Sequence, residues 1–178
     1  MRQPKSRFTT PMLAGVSVDR DVVSFSLEIS ESQQLVLIKS RLRNRDHDVT
    51  ILPSLLAQHI RDSMARIDNR SGYTKKLQAI TQRIPIEVRR AFEPRPTFNR
   101  ADRDAAPDQR NVIASALEVH GYSDCVYLVQ LIEPATSIYK VLRLYIPIAL
   151  LLAREISHHI ETGALHFLDD KPTGSVTH

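Results

Sequence analysis

Between Val22 and Ile67 the hydrophobic period changes from two to three-and-four, and this change restricts the available folds more than any other feature of the chain. Val23, Phe25, Leu27 and Ile29 alternate with Ser24, Ser26 and Glu28. A strand built that way has one apolar and one polar face and needs a partner strand to stand. Ser30 then occupies an N-cap position with Gln33 three residues on, which predicts a helix start. Leu35, Ile38 and Leu42 fall on one face of that helix, while Lys39, Arg41, Arg43 and Arg45 lie mostly off it. The polar run Asn44 to Asp48 breaks the stripe. Thr50 is placed to cap a second helix with Pro53 in its first turn and Leu52, Leu55, Leu56, Ile60, Met64 and Ile67 inward.

Residues 1–15 read as a flexible basic tail, and residues 16–92 as a strand-helix-helix unit with an added basic helix. That third helix starts near Thr74, turns Leu77, Ile80 and Ile84 inward, and is broken by Pro85; Lys75, Lys76, Arg83, Arg89 and Arg90 are its outer charges. The proline- and arginine-rich segment 93–110 reads as a linker or long loop. A second unit over 111–168 is expected to hold a short helix ending at Gly121 and a strand from Tyr122 to Ile132, buried on both faces. A short helix at Ser137–Tyr145 and a longer one at Pro147–Thr162 complete it. Residues 169–178 read as a disordered tail. The segments 53–60 and 149–156 share Leu, Leu, Ala and Ile at matching positions, which suggests two related units and a pseudo-dimer within one chain.

The order of strand, helix, turn and helix over residues 22–67 resembles the ribbon-helix-helix family of DNA-binding proteins, with a possible second unit at 124–162. Tandem units in that family include accessory proteins of plasmid transfer. The resemblance covers about a quarter of the chain and implies an α+β, helix-rich fold of strand-helix-helix units, dimeric or pseudo-dimeric. It implies that Ser24, Ser26 and Glu28 face the bases in the major groove. The amides of Thr50 and Ile51, at a helix N-terminus, would hold a phosphate. Two serines and a glutamate replace the Arg, Lys, Asn or Gln usual on such a strand. An ordinary segment of an α/β core fits the same alternation.

Charge is divided unevenly. Residues 1–110 carry +7 and residues 111–178 carry −3, which together return the net +4. A basic front half suits a polyanion partner, and equally a solvated arginine-rich surface. The single cysteine, Cys125, excludes an intramolecular disulfide and favours a reducing compartment. Neither a signal-peptide core nor a membrane-length apolar run is present, so a cytoplasmic protein without a membrane partner is expected.

Chemical signatures are few. Glu155, His158 and His159 share a helix face, but the spacing matches no standard metal site. No phosphate-loop, nucleophile-elbow or zinc-protease motif occurs. These readings predict no catalytic residues, no metal and no cofactor. The expectation is a DNA-binding accessory or transcription-regulatory protein, working as a homodimer or pseudo-dimer on duplex DNA. Its contacts would be Ser24, Ser26, Glu28, Lys39, Arg41, Arg43, Arg45, Thr50, Ile51, Lys75 and Lys76. A non-enzymatic protein-interaction or assembly adaptor is the alternative.

Overall fold

The turn at residues 31–34 decides the architecture. In the computed structural model, which describes residues 20–104, 113–133 and 138–166, the chain does not enter a helix after Ser30. It reverses through Gln34, at φ 53°, into an antiparallel hairpin. Ser30 and Gln33 close that turn, the serine hydroxyl donating to Gln33 Oε1 at 3.2 Å. Strand β1 spans Asp21–Ser30, β2 Leu35–Leu42 and β3 His47–Pro53.

The helix expected over 35–42 is therefore a strand, and the reason lies in its burial. Val36, Ile38 and Leu42 face the main core, whereas Leu35 and Leu37 are buried on the opposite side of the sheet. A strand buried on both faces reads as a near-continuous apolar run and loses its alternation. Thr50 is in β3 rather than at a helix N-terminus, and the helix α1, Ser54–Ser71, starts only after Pro53. Gly72, at φ 69°, closes α1 with its N–H on the Asp68 carbonyl, where a left-handed residue is needed.

Two short helices follow, α2 at Leu77–Arg83 and α3 at Ile86–Arg90, interrupted at Pro85 as expected. A helical turn α4 spans Arg100–Asp104. Strands β4, Ala116–Gly121, β5, Cys125–Glu133, and β6, Ile138–Tyr145, lead into α5, Ile146–Glu161. The Tyr122–Ile132 strand and the Pro147–Thr162 helix thus appear at nearly their expected places. The helix expected at 137–145 is β6, and Ala116 and Leu117, expected within the short helix ending at Gly121, begin β4. The tails 1–15 and 169–178 lie outside the described residues.

All six strands form one mixed sheet in the order β3-β2-β1-β6-β5-β4. This corrects the helix-rich ribbon-helix-helix expectation. Each half is a three-stranded antiparallel meander followed by a helix, and the halves join where β1 runs parallel to β6 at Asp21–Arg143 and Val22–Leu144. A two-fold pseudo-dimer would pair like strands antiparallel; here the first strand of one meander meets the last of the other. α1 and α5 pack against the inner face around Phe25, Ile38, Leu52, Leu128 and Leu142.

The sheet is strongly rolled. Ile113 bridges to Ile51 of β3, yet Ser115, two residues on, donates its N–H to Leu131 of β5 at 2.8 Å. Lys140 of β6 likewise reaches Asp48 and the Val49 carbonyl, each at 3.0 Å. At Gly121 the rolled edge passes so close to α1 that a Cβ there would lie 2.5 Å from Ile67 Cγ2.

The outer face of β1 and β2 carries a strap, residues 93–104, the described part of the expected linker. Phe98 fills an apolar patch with Leu35, Leu37 and Ile51. Lys39 binds Asp102 at 2.7 Å and the Thr97 carbonyl at 3.0 Å. Arg103 grips Glu28 through two bonds of 2.6 and 2.9 Å, and Arg95 does the same to Glu155 at 2.7 and 2.9 Å. Among the described residues, no helix is long and apolar enough to cross a membrane.

Candidate functional site

Strand register assembles a row of polar side chains across the outer face, beside the strap. Asp21 stands next to Arg143 on β6, and Arg143 next to Tyr127 on β5. In each strand the neighbouring residues Val22, Val126, Leu128, Leu142 and Leu144 point inward, so period-two alternation sends these three outward. Arg143 donates from Nε to the Asp21 carboxylate and from Nη1 to the Tyr127 hydroxyl at 3.4 Å. Its guanidinium carbon lies 5.9 Å from the Tyr127 ring centroid. The remaining nitrogen, Nη2, is buried and has no hydrogen-bond partner among the described residues. Buried guanidinium nitrogens are rarely left so.

A cleft of about 330 Å³ opens over this row. Its second wall comes from Ile80 and Arg83 of α2 and from Ile84 and Pro85 at the break before α3. The β4–β5 turn contributes Asp124, and Cys125 and Tyr145 complete the floor. Arg43, at the end of β2, donates to the Tyr145 hydroxyl at 3.4 Å and separates this cleft from a neighbouring one of about 600 Å³, which Arg41, Arg45, Glu87 and Glu93 line.

Burial dominates the electrostatics. It pushes the Asp21 carboxyl up, against the opposing pull of the Arg143 hydrogen bond. It also works against the charge on Arg143, but Asp21 and Tyr127 outweigh it and move that pKa further up, so the guanidinium is always charged. The Cys125 thiol is pushed up to about 12 by burial and by Asp124. Tyr145 is pushed up to about 12 by burial and by Asp21, and Tyr127 is raised by burial. The floor of the cleft thus has a fixed cation beside neutral phenols and a neutral thiol.

The residues picked from sequence are dispersed. Ser24 and Ser26 donate to the carbonyls of Pro94 and Pro96 in the strap, and Glu28 is held by Arg103. Lys39 is buried on Asp102 and Arg41 donates to the Ala91 carbonyl. Thr50 and Ile51 are buried within β3, the threonine hydroxyl donating to Asp48 at 3.1 Å. Arg45, at φ 75°, is exposed in the β2–β3 turn, and Lys75 and Lys76 are exposed in the turn before α2. Of the set, Arg43 alone lines the cleft. Sequence reasoning passed over Asp21, Arg143, Tyr127 and Tyr145. The available signal was a lone arginine inside the apolar run Val141–Tyr145, a position that a strand reading would have made conspicuous.

Among the described residues, no group of three or more His, Cys, Asp or Glu side chains is placed to hold a metal ion. Comparison with models of known protein families, with curated proteins and with solved structures gave no match.

Proposed function

We propose that this chain is a non-catalytic binding module whose ligand presents an anionic group to the cleft at Arg143. The observation that carries this reading is the buried, unpartnered Nη2 of Arg143, a residue that lines the cleft together with Arg43 and Arg83. A buried donor without a partner is costly, and an oxygen anion is the natural complement of a guanidinium. Binding is favoured over catalysis because the thiol and both phenols are shifted away from neutral pH, whereas a general base or nucleophile works best near it.

Duplex DNA draws less support from the geometry, since Ser24, Ser26, Glu28, Lys39 and Arg41 are all engaged within the chain. Both readings enter one experiment. The melting temperature of the full chain is followed with inorganic phosphate, small carboxylates and a random duplex, at low and high salt. A ligand that binds the native state raises it in proportion to occupancy. Stabilisation by a small anion, reduced in an Arg83→Gln variant, is expected. Stabilisation by the duplex alone would overturn the reading in favour of a nucleic-acid partner, and no stabilisation by any anion would remove it.

A further inference from the structure

Resting on that reading, we infer that the ligand of the cleft is a monocarboxylate carrying one compact apolar group. Three features of the cleft converge on this class.

The first is hydrogen-bonding capacity. Arg143 has committed Nε to Asp21 and one Nη1 hydrogen to Tyr127, and its Nη2 has no partner among the described residues. With Arg43 and Arg83 also lining the cleft, guanidinium donors suffice for both oxygens of a carboxylate.

The second feature is charge. Three arginines face two aspartates, Asp21 and Asp124, which leaves one net positive charge over the cleft. One carboxylate neutralises it, whereas a phosphate dianion or a polyphosphate leaves an uncompensated negative charge against the two carboxylates.

The third feature is apolar surface. Pro85, the edges of the buried Ile80 and Ile84, and the rings of Tyr127 and Tyr145 give the cleft an apolar lining. A small hydrophilic ion would leave that surface wet, whereas a phenyl ring or short aliphatic chain would cover it, at roughly 25 cal/mol per Å² removed from water. The volume of about 330 Å³ lies at the small end of the range for ligand sites and limits the group to one ring or one short chain.

This chemistry has two sources, a free carboxylic acid and the C-terminal residue of another polypeptide. Calorimetric titration of the full chain at neutral pH and low salt separates them, with phenylacetate, hexanoate, N-acetylleucine, N-acetylleucine amide and inorganic phosphate as probes. One carboxylate site per chain is expected, with phosphate and the amide weaker by about tenfold or more, the loss that follows from removing a charge-assisted hydrogen bond. Phenylacetate or hexanoate binding above N-acetylleucine supports the inference with a free acid as source; the reverse order supports it with a chain terminus. Arg143 is itself part of the fold, so the site is tested at its rim. Arg43→Gln and Arg83→Gln together should weaken the carboxylate about tenfold, and Pro85→Ser should weaken hexanoate more than acetate titrated alongside it. Carboxylate binding untouched by all three changes would place the ligand elsewhere and overturn the inference. Binding of phosphate but no carboxylate would overturn it while leaving the anion-binding reading intact. Silence from every probe would overturn both.

Discussion

Phe98→Ala tests whether the strap is part of the fold. Phe98 is 8% exposed and packs with Leu35, Leu37 and Ile51 on the outer face of β2 and β3. No other aromatic ring belongs to that cluster among the described residues. Removing the ring forfeits its transfer free energy and leaves a cavity lined by aliphatic side chains, a combination worth about 3–4 kcal/mol. Because the patch lies under a strap rather than between rigid layers, partial collapse should place the loss at the lower end, about 3 kcal/mol. For a chain of this size that lowers the melting temperature by roughly 6–12 °C. Equilibrium urea unfolding measures the free energy, and limited trypsin digestion reports the strap itself through the bond after Arg103. That arginine is held by the Glu28 carboxylate in the native state. Cleavage there should be slow in the parent chain and fast in the variant. A free-energy loss below about 1 kcal/mol, together with equally fast cleavage in both proteins, would show that residues 93–104 do not dock as described.

Two further predictions follow from the same packing. The Arg103 hydrogen bonds hold the Glu28 carboxyl below its usual 4.5. Burial works against the charge on Asp102, but the Asn99 amide and Lys39 outweigh it and hold that group below 3.8. With folded-state values lowered, the stabilisation is fully present above the unfolded values and is lost as pH falls through the folded ones. Glu28 is partly exposed and solvent screens its ion pair, so each of the two pairs should contribute at most about 1 kcal/mol. Urea midpoints measured from about pH 6 to about pH 3 should fall more steeply for the parent chain than for Glu28→Gln with Asp102→Asn, and equal slopes would contradict the assignment. Gly121→Ala should cost about 1–3 kcal/mol, because its Cβ would lie 2.5 Å from Ile67 Cγ2 and 2.9 Å from the Tyr73 hydroxyl. Ile67→Ala in the same chain should recover part of that loss, and full additivity of the two changes would argue against the contact.

What the sequence could reveal divides along a physical line. β1 was legible because one of its faces is apolar and the other polar, although a bulge between Val22 and Ser24 puts Val22 into the inner row and turns Val23 outward onto Ile84 and Val88. β5 was legible for the opposite reason, since burial on both sides left the apolar run Val126–Val129. α5 and the interruption at Pro85 carried their own stop signals. β2 was illegible because its second apolar face is covered by Phe98, whose place on that face no local pattern announces. β6 was illegible because Lys140 and Arg143 interrupt its apolar run. In the sheet one of them reaches Asp48 and the other Asp21. The candidate cleft was hidden for the same reason, since Asp21 and Arg143 are 122 positions apart and only the parallel pairing of β1 with β6 makes them neighbours.

The basic front half shows how far charge can be read from composition. Its +7 suggested a surface for a polyanion. In the folded chain several of those cations are structural. Lys39 is buried on Asp102, Arg41 donates to a backbone carbonyl, and Arg95 and Arg103 fasten the strap to α5 and β1. A buried or bidentate cation has exchanged its hydration for a protein partner and adds little to the field that a distant phosphate feels. Arg143, by contrast, belongs to the acidic rear half, and it is the arginine with a buried nitrogen left unpartnered among the described residues. Net charge alone therefore does not locate a site. For recognition of an anion, the relevant quantity is the number of donors that folding leaves unsatisfied and within reach, and the proposed cleft draws its arginines from both halves, Arg143 from the rear and Arg43 and Arg83 from the front.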